Sequence, residues 1–348
     1  MMICSKLLKN QSPFLYDKAI FVENRSNMVW GVFLVLIFGL LALDLGVFHK
    51  KNEKVTMKAS LAWTAVWVTL AVLFGGVVYW MYDMNVMDVN PNGVEPINAM
   101  IDYYTGYVIE ESLSLDNIFV IAMIFKYFKV EDKYQHNILF WGILGAVFFR
   151  LGMIVLGSTF VENFEYATYV FGGILLFSAF KMIKEGEESE DFESSFGVRM
   201  LSKIYPIDWK IKNGKYLARR EDGKLVATSL LAALVVVEFS DILFAVDSIP
   251  AIFSITTDSF IVFTSNIFAI LGLRSLYFFL ANMLDKFKYM KYSLIFVLMF
   301  VGFKMIFVHF IHIPALVSLG VIIGSLAMGV LASLTATKTK AKNDGKPN

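Results

Sequence analysis

Long apolar segments separated by short polar connections make up most of the chain from residue 28 to residue 334. A helix needs about 20 predominantly apolar residues to cross the roughly 30 Å hydrocarbon core of a bilayer. The segments of this length predict about nine transmembrane helices: 28–48, 59–82, 100–125, 136–161, 166–183, 228–252, 260–283, 292–310 and 313–334. Short connections at 162–165 and around His312 require neighbouring spans to run antiparallel. The pattern predicts an all-α protein, a polytopic membrane helical bundle.

The polar segments divide this bundle into parts. We expect an extracytoplasmic N-terminal segment at 1–27, a membrane part with five spans at 28–183, a cytoplasmic loop at 184–227, a membrane part with four spans at 228–334 and a disordered cytoplasmic tail at 335–348. The loop opens with the acidic run EGEESEDFE, and later NG and DG signals predict a small hairpin. About 40 residues bury too little surface for a separate catalytic domain, so we expect no enzyme.

The distribution of basic residues predicts the orientation. Lys and Arg follow the odd-numbered spans, whereas the connections 83–99, 162–165, 255–259 and 311–312 contain neither. Since loops rich in Lys and Arg stay in the cytoplasm, this places the N-terminus outside and the C-terminus inside. The N-terminal segment departs from this rule, because it is basic although it is predicted to lie outside; its basic residues are Lys6, Lys9, Lys18 and Arg25. The basic residues of the other connections outweigh it.

Composition excludes several classes of protein. The chain is 57% hydrophobic and 18% charged, which is outside the range of ordinary soluble domains. A net charge of +1, with basic residues confined to loops, argues against nucleic-acid binding. The single cysteine, Cys4, allows no internal disulfide and no thiolate metal cage. The first apolar run begins near Met28 and lacks the small-residue cleavage pattern of a signal peptide, so we interpret it as a retained anchor.

Two apolar segments each carry three carboxylates at a depth where ionised groups are costly. The segment YVIEESLSLDNIFVIAMIF holds Glu110, Glu111 and Asp116, and VVVEFSDILFAVDSIPAIF holds Glu238, Asp241 and Asp247. Each ionised carboxylate at the bilayer centre costs upward of about 2.5 kcal/mol, so each needs a partner or a water-filled cavity.

Structural salt bridging is one explanation for these acids. The candidate charge partners within the spans are Arg150, Arg274 and Lys304. Six acidic groups against three basic groups leave three negative charges. A bound divalent cation, protonation of some carboxyls, or both would balance the difference.

The two acidic segments resemble each other and predict an inverted repeat. DNIF at 116–119 aligns with DILF at 241–244, and a glutamate and a serine precede each. The second segment lies three spans after the first, so the two segments run in opposite directions through the membrane. Inverted repeats of three helices, with broken helices at the midplane, are how secondary transporters often build an ion site.

Helical geometry favours such a break in the second segment. At about 100° per residue, Glu238 and Asp241 share a face, whereas Asp247 lies half a turn from Glu238. Pro250 removes a backbone donor and clashes with the preceding turn. We therefore expect unwinding around residues 245–248, with freed carbonyls joining the carboxylates.

The types of ligand narrow the choice of ion. Oxygen donors suit Mn²⁺, Mg²⁺ or Ca²⁺, and the ligand types alone leave these three open. His309 and His312 are three residues apart, a spacing compatible with one face of a helix, but they lie far along the chain from the acids. We therefore interpret them as residues at the membrane interface and not as metal ligands.

The motifs EESLSLDNIFVIAMIF, VEFSDILFAVDSIPAIF and FIVFTSNIFAILGLRSLYF resemble the TerC family of integral membrane proteins, in particular its longer, Alx-like members. The resemblance covers about 28–334 and implies inverted three-helix repeats, because the family is placed in the LysE exporter superfamily. It implies manganese export and protection against metal excess, and historically tellurite resistance and a redox role. The metal ligands that it implies are Glu111, Asp116, Glu238, Asp241 and Asp247, with Ser112, Asn117 and Ser248 as secondary ligands.

Three further polar or small positions are open to two interpretations. Asp44 lies near the cytoplasmic end of its span, where solvation or a lysine partner is favoured over a role as a secondary ligand. Asn266 suits either a hydrogen bond between helices or a pore lining. Gly320 and Gly324 predict close helix packing.

The sequence therefore predicts a secondary transporter that exports Mn²⁺ as its substrate, in exchange for protons, with the bilayer as its environment and no organic cofactor. The alternative is a membrane redox or stress-response component, against which the lone Cys4 and the scattered histidines argue. A structural or assembly factor that recruits partners through 184–227 and an amino-acid exporter also remain open, since fold-level analogy says little about substrate.

Overall fold

The computed structural model describes residues 28–43, 57–164, 166–184, 195–209, 214–220, 223–280, 289–308, 310 and 313–344. Ten α-helices lie in these ranges: α1 (Met28–Leu43), α2 (Met57–Asp83), α3 (Pro96–Tyr127), α4 (Asp132–Asn163), α5 (Ala167–Lys184), α6 (Phe196–Ile204), α7 (Ser229–Phe253), α8 (Ser259–Leu280), α9 (Met290–Ile306) and α10 (Ala315–Asp344). Residues 1–27 and Asp44, His309 and His312 lie outside the described residues.

Each of the predicted spans coincides with a helix. Six helices are long and apolar enough to cross a membrane: α2, α4, α5, α7, α8 and the apolar part of α10. That set does not include α1 and α9, which are shorter, or α3, which is rich in carboxylates. That these three helices cross the bilayer stays a prediction. The chain is therefore a helical, multi-pass membrane protein, as its hydrophobic pattern predicts.

The described residues form two compact units, one from 28–43 and 73–100 and the other from 57–72 and 101–344. In the first unit the rings of Phe33 and Phe74 lie 5.6 Å apart. There Asn90 orders the turn before α3, because its side chain accepts a hydrogen bond from the backbone N–H of Val94 and donates one to the carbonyl of Val94. Pro96 then starts α3 at the position where a missing N–H is tolerated.

Helix α8 forms the interior of the second unit. Of its apolar stretch 94% is buried, against 44% for α4, the next most buried span. Asp258 caps its N-terminus by accepting hydrogen bonds from the backbone N–H groups of Phe260 and Ile261. Polar residues on α8 therefore face other helices of this unit and not lipid.

Glycines set the closest helix contacts of this unit. A Cβ at Gly172 of α5 would lie 3.0 Å from the carbonyl oxygen of Gly302 on α9, so only glycine allows these backbones to approach. The prediction of close packing at Gly320 and Gly324 is wrong for the described residues, because nothing among them lies within 4 Å of a Cβ added at either position.

The predicted break in the acidic helices is wrong. Helix α7 runs without interruption from Ser229 to Phe253, and α3 runs without interruption from Pro96 to Tyr127. Pro250 lies three residues before the end of α7, where the backbone N–H of Ser254 still donates to the carbonyl of Pro250. A proline so close to the C-terminus of a helix disturbs only the last turn, so residues 245–248 stay helical.

The loop before α7 holds a small sheet. Strands β1 (Ile207–Asp208), β2 (Leu217–Arg219) and β3 (Leu225–Thr228) pair in the order β1-β3-β2. β2 and β3 are antiparallel, with a turn at Gly223, as the DG signal predicts. Helix α6 packs on α7, where a Cβ at Gly197 would lie 2.8 Å from the ring of Phe239.

The expected disorder of the tail is wrong for residues 335–344, since α10 continues to Asp344. The residues TATKTKAKND contain neither glycine nor proline, so none of them interrupts the helix.

Candidate functional site

A buried arginine joins the two acidic motifs. Arg150 of α4 and Glu110 of α3 are fully buried, and a guanidinium nitrogen of Arg150 donates to Glu110 Oε1. The same guanidinium donates from Nε to Asp241 Oδ2 at 3.2 Å and from Nη2 to Asp241 Oδ1 at 2.9 Å. Arg150, predicted as a charge partner, therefore pairs with one carboxylate from each motif.

Asn266 of α8 completes this network. Its side-chain oxygen accepts from Arg150 Nη1 at 2.9 Å, and its amide nitrogen donates to Glu110 Oε2 at 2.9 Å. The side chain is fully buried, and its hydrogen bonds link helices. We call Glu110, Arg150, Asp241 and Asn266 the central cluster; it ties together α3, α4, α7 and α8.

Small residues allow these helices to reach one another. Gly106 lies one turn before Glu110, and a Cβ there would lie 2.7 Å from Ser265 Oγ on α8. This close approach of α3 and α8 lets Glu110 reach Asn266. The polar residues themselves stand out in the sequence as interruptions of apolar segments.

Stability alone does not explain a buried ion pair of this kind. Removing two charges from water carries a desolvation penalty that can exceed their mutual attraction, so buried pairs contribute little net stability. An ionisable residue within a membrane span is by default a candidate for a functional site, such as an ion pathway. The central cluster is therefore the candidate site.

A small cavity lies beside Asp241, between α3, α4, α7 and α8, with room for about one water molecule. Asn117 lines it, is 2% exposed, and finds no hydrogen-bond partner for either amide atom among the described residues. Ser240 also lines the cavity. Because an unsatisfied buried amide is costly, Asn117 is placed to bind a molecule or ion in the cavity.

Glu238 lies one helical turn before Asp241, against α4. A Cβ at Gly145 would lie 2.5 Å from Glu238 Cδ, so the missing side chain of Gly145 makes room for this carboxylate. Glu238 Oε2 and Glu111 Oε2 are both buried without a hydrogen-bond partner among the described residues. Each of these two acids therefore has one oxygen that the described part of the chain leaves unused.

Asp247 points to a different neighbour. Ser178 of α5 donates a hydrogen bond of 2.6 Å to Asp247 Oδ1. Because α7 is unbroken, Asp247 and Asp241 lie on different faces, and the expectation that a break gathers them around one ion is wrong in this structure. The side chain of Asp116 lies outside the described residues, although its backbone belongs to α3.

The described residues contain no group of three or more His, Cys, Asp or Glu side chains close enough to hold a metal. The structure thus brings Glu110 and Asp241 together but does not gather Glu111, Glu238 and Asp247 with them. Their roles as ligands stay predictions.

The secondary ligands and the other charge partners have mixed placements. Ser112 donates its hydroxyl to the carbonyl of Val108 within its own helix, whereas Ser248 is buried close to Glu110. Arg274 contacts His136 Nδ1 at 3.2 Å. In none of these contacts does a buried basic side chain pair with a residue predicted as a metal ligand.

Lys304 donates to Ser318 Oγ at 3.0 Å and lies near Asp102, at the start of α3. The sequence reasoning missed both Asp102 and Ser178. Asp102 could have been identified from the sequence, since it is a carboxylate within the predicted span 100–125. Ser178 could not have been identified in this way, because a serine in an apolar helix is common.

Comparisons with known proteins give relatives over nearly the whole chain. The profile of the integral membrane protein TerC family matches residues 96–341. The chain is 44% identical over 316 residues to the uncharacterized membrane protein STKORF319 of Myxococcus xanthus, covering 91% of this chain and 95% of that protein. It is 41% identical over 307 residues to an uncharacterized membrane protein of Rickettsia bellii, covering 88% and 97%.

The chain is also 42% identical over 302 residues to Alx of Escherichia coli K12, a protein that carries the description membrane-bound redox modulator, covering 86% of this chain and 92% of Alx. No solved structure matches the chain.

Proposed function

Because the chain belongs to the TerC family of integral membrane proteins, we propose that it is a secondary transporter that exports a divalent metal ion, Mn²⁺, from the cytoplasm. One observation carries this proposal. Asp241 pairs with a buried arginine and also lines a small cavity, which is lined as well by Asn117, whose amide has no hydrogen-bond partner among the described residues. Such a polar recess among membrane helices suits an ion pathway.

The chemistry of the recess supports a hard or borderline cation. Its polar groups are the carboxylate of Asp241, the amide oxygen of Asn117 and the hydroxyl of Ser240, all oxygen donors. Mn²⁺, Mg²⁺ and Ca²⁺ prefer such ligands, whereas thiolate or imidazole ligands would suit softer metals. Waters and the unused oxygen of Glu238 would supply further ligands during passage.

The predicted orientation gives the order in which an exported ion would meet the acids of α7. With the N-terminus outside, α7 runs from the cytoplasm outward, so Glu238 lies about one turn to the cytoplasmic side of Asp241. A metal ion entering from the cytoplasm would meet Glu238 first and then Asp241. The proposed location is accordingly the bacterial inner membrane, with the C-terminus in the cytoplasm.

Protons are the proposed counter-ions. Glu111 and Glu238 each have a buried oxygen without a hydrogen-bond partner among the described residues, and a protonated carboxyl is far less costly in such a setting than an ionised one. Exchange of protons against the metal would keep the charge of the recess balanced.

A redox component without transport activity is the second candidate, and the description carried by Alx favours it. Redox chemistry at a protein thiol would rest on Cys4 alone, the single cysteine of the chain. An absorption spectrum of the purified protein tests this candidate, since a bound redox cofactor would give a visible band.

Uptake of Mn²⁺ into everted membrane vesicles tests the transport proposal. We expect uptake with the wild-type protein, its loss with Asp241→Asn, and an outward movement of protons reported by a pH-sensitive dye. Glu131→Gln is the matched control, because Glu131 forms an exposed pair with Lys133. Uptake that is the same with and without the protein would contradict transport of Mn²⁺, and uptake that ignores a pH gradient would contradict proton exchange.

A further inference from the structure

The guanidinium of Arg150 lies where a bridging cation would lie. Nη1 contacts Glu110, and Nε and Nη2 contact Asp241, so the group fills the space between the two carboxylates. Each of the four carboxylate oxygens accepts a hydrogen bond from Arg150 or Asn266. A metal ion can bridge Glu110 and Asp241 only after the guanidinium has moved.

We propose that Arg150 is an internal counter-cation: it occupies the ion site of the empty transporter and gives way to the transported metal. This inference rests on the proposed function and concerns the same site. It makes occupation by Arg150 and occupation by the metal mutually exclusive.

Electrostatics supports this exclusion. Arginine keeps its charge in proteins under all ordinary conditions, so it cannot be neutralised to make room for a second cation. A divalent ion between the same carboxylates would lie a few ångströms from the guanidinium, and like charges repel strongly at that distance in a medium of low dielectric constant. The guanidinium must therefore move when the metal binds.

The structure also offers the metal an approach. The cavity borders Asp241, and its α4 wall includes the small residues Gly142 and Ala146 as well as Leu139 and Ile143. Gly142 and Ala146 lie eight and four positions before Arg150, on the same face of the helix. The cavity beside these small residues borders Asp241 and not Arg150, so a metal ion in the cavity would contact Asp241 before it displaces Arg150.

A built-in cation would serve the return step of the transport cycle. An empty site with two adjacent carboxylates and no cation would be too costly to move through a membrane interior. Arg150 offsets one of these two negative charges, which lets the metal-free transporter reorient with its counter-ion protons. Removal of Arg150 should therefore stop net transport but spare the exchange of one Mn²⁺ for another, in which the site is never empty.

Arg150→Met in the full-length protein tests this prediction, with Lys133→Met as the matched control at an exposed position. In purified protein we expect Mn²⁺ to bind tighter by about tenfold or more than in wild type, because a competing unit charge a few ångströms away is gone. In everted vesicles we expect net Mn²⁺ uptake to be lost while exchange of radioactive for unlabelled Mn²⁺ persists. A merely structural role of Arg150 would reduce both activities together.

Arg150→Lys is the second variant, because it keeps the charge and leaves a folded protein if Arg150→Met is not stable. Lysine lacks the planar fork that holds Asp241 with two hydrogen bonds, so Mn²⁺ should bind tighter than in wild type. Folded variants that bind Mn²⁺ no tighter than wild type, or that lose exchange along with net uptake, would overturn the inference. Absence of Mn²⁺ transport by the wild type would instead refute the proposed function.

Discussion

Removal of one charge from the central cluster should destabilise the protein far more than removal of a charge from its surface. In Asp241→Asn one oxygen still accepts from Arg150, but the new amide nitrogen faces a guanidinium nitrogen that lay 2.9 Å from the lost oxygen. Two opposite charges about 4 Å apart attract by about 4 kcal/mol at an effective dielectric constant of 20. Breaking a buried pair by removing one partner costs a similar amount, about 3 to 5 kcal/mol.

The surface pair of Glu131 and Lys133 provides the reference. Its atoms are as close, at 2.8 Å, but the two side chains are 50% and 48% exposed. Exposed pairs of this kind contribute about 0.2 to 1 kcal/mol, so Glu131→Gln should change stability little.

Thermal unfolding of the purified variants in detergent, followed by intrinsic fluorescence, measures both changes. We expect Asp241→Asn to unfold several degrees below wild type and Glu131→Gln to unfold within about one degree of it. Equal midpoints for Asp241→Asn and wild type would refute the claim that Asp241 is a partner of the buried Arg150.

Three further predictions concern transport and are measured in the same vesicle assay. Gly145→Ala should reduce Mn²⁺ uptake several-fold, because its Cβ displaces the carboxylate that lies there, whereas Gly152→Ala on the same helix meets nothing within 4 Å among the described residues and should leave uptake unchanged; equal effects would contradict this placement. Asn117→Leu should abolish uptake yet raise the unfolding midpoint, since it removes an unsatisfied buried amide that costs about 1 to 3 kcal/mol; a lower midpoint would indicate that the amide has a partner. Asp247→Asn should retain most uptake, because the amide oxygen still accepts from Ser178; complete loss would place Asp247 in the pathway.

The hydrophobic pattern predicted the positions of the helices well, because a membrane imposes a minimum length on each apolar segment. The acidic motifs also identified the helices that meet at the centre. Arg150 could be named as a charge partner in advance, since a buried arginine must find an anion. The sequence alone left open which of the six acids it would bind.

Geometry decided what the sequence left open. Pro250 suggested a break, but its effect depends on how far it lies from the helix end, and that end was not known from the pattern. Asn266 could line a pore or join two helices until the neighbours of α8 were known. Ser178 became a partner of Asp247 only through the packing of α5 against α7, which no local signal in the sequence reports.

The manganese content of whole cells tests export most directly. Cells carrying the wild-type protein, Asp241→Asn or Glu131→Gln would be grown in excess manganese, washed, and analysed for the metal by elemental mass spectrometry, with equal amounts of each protein verified in the membrane. We expect low manganese with the wild type and with Glu131→Gln, and high manganese with Asp241→Asn. The same manganese content in all three, equal to that of cells without the protein, would contradict the account.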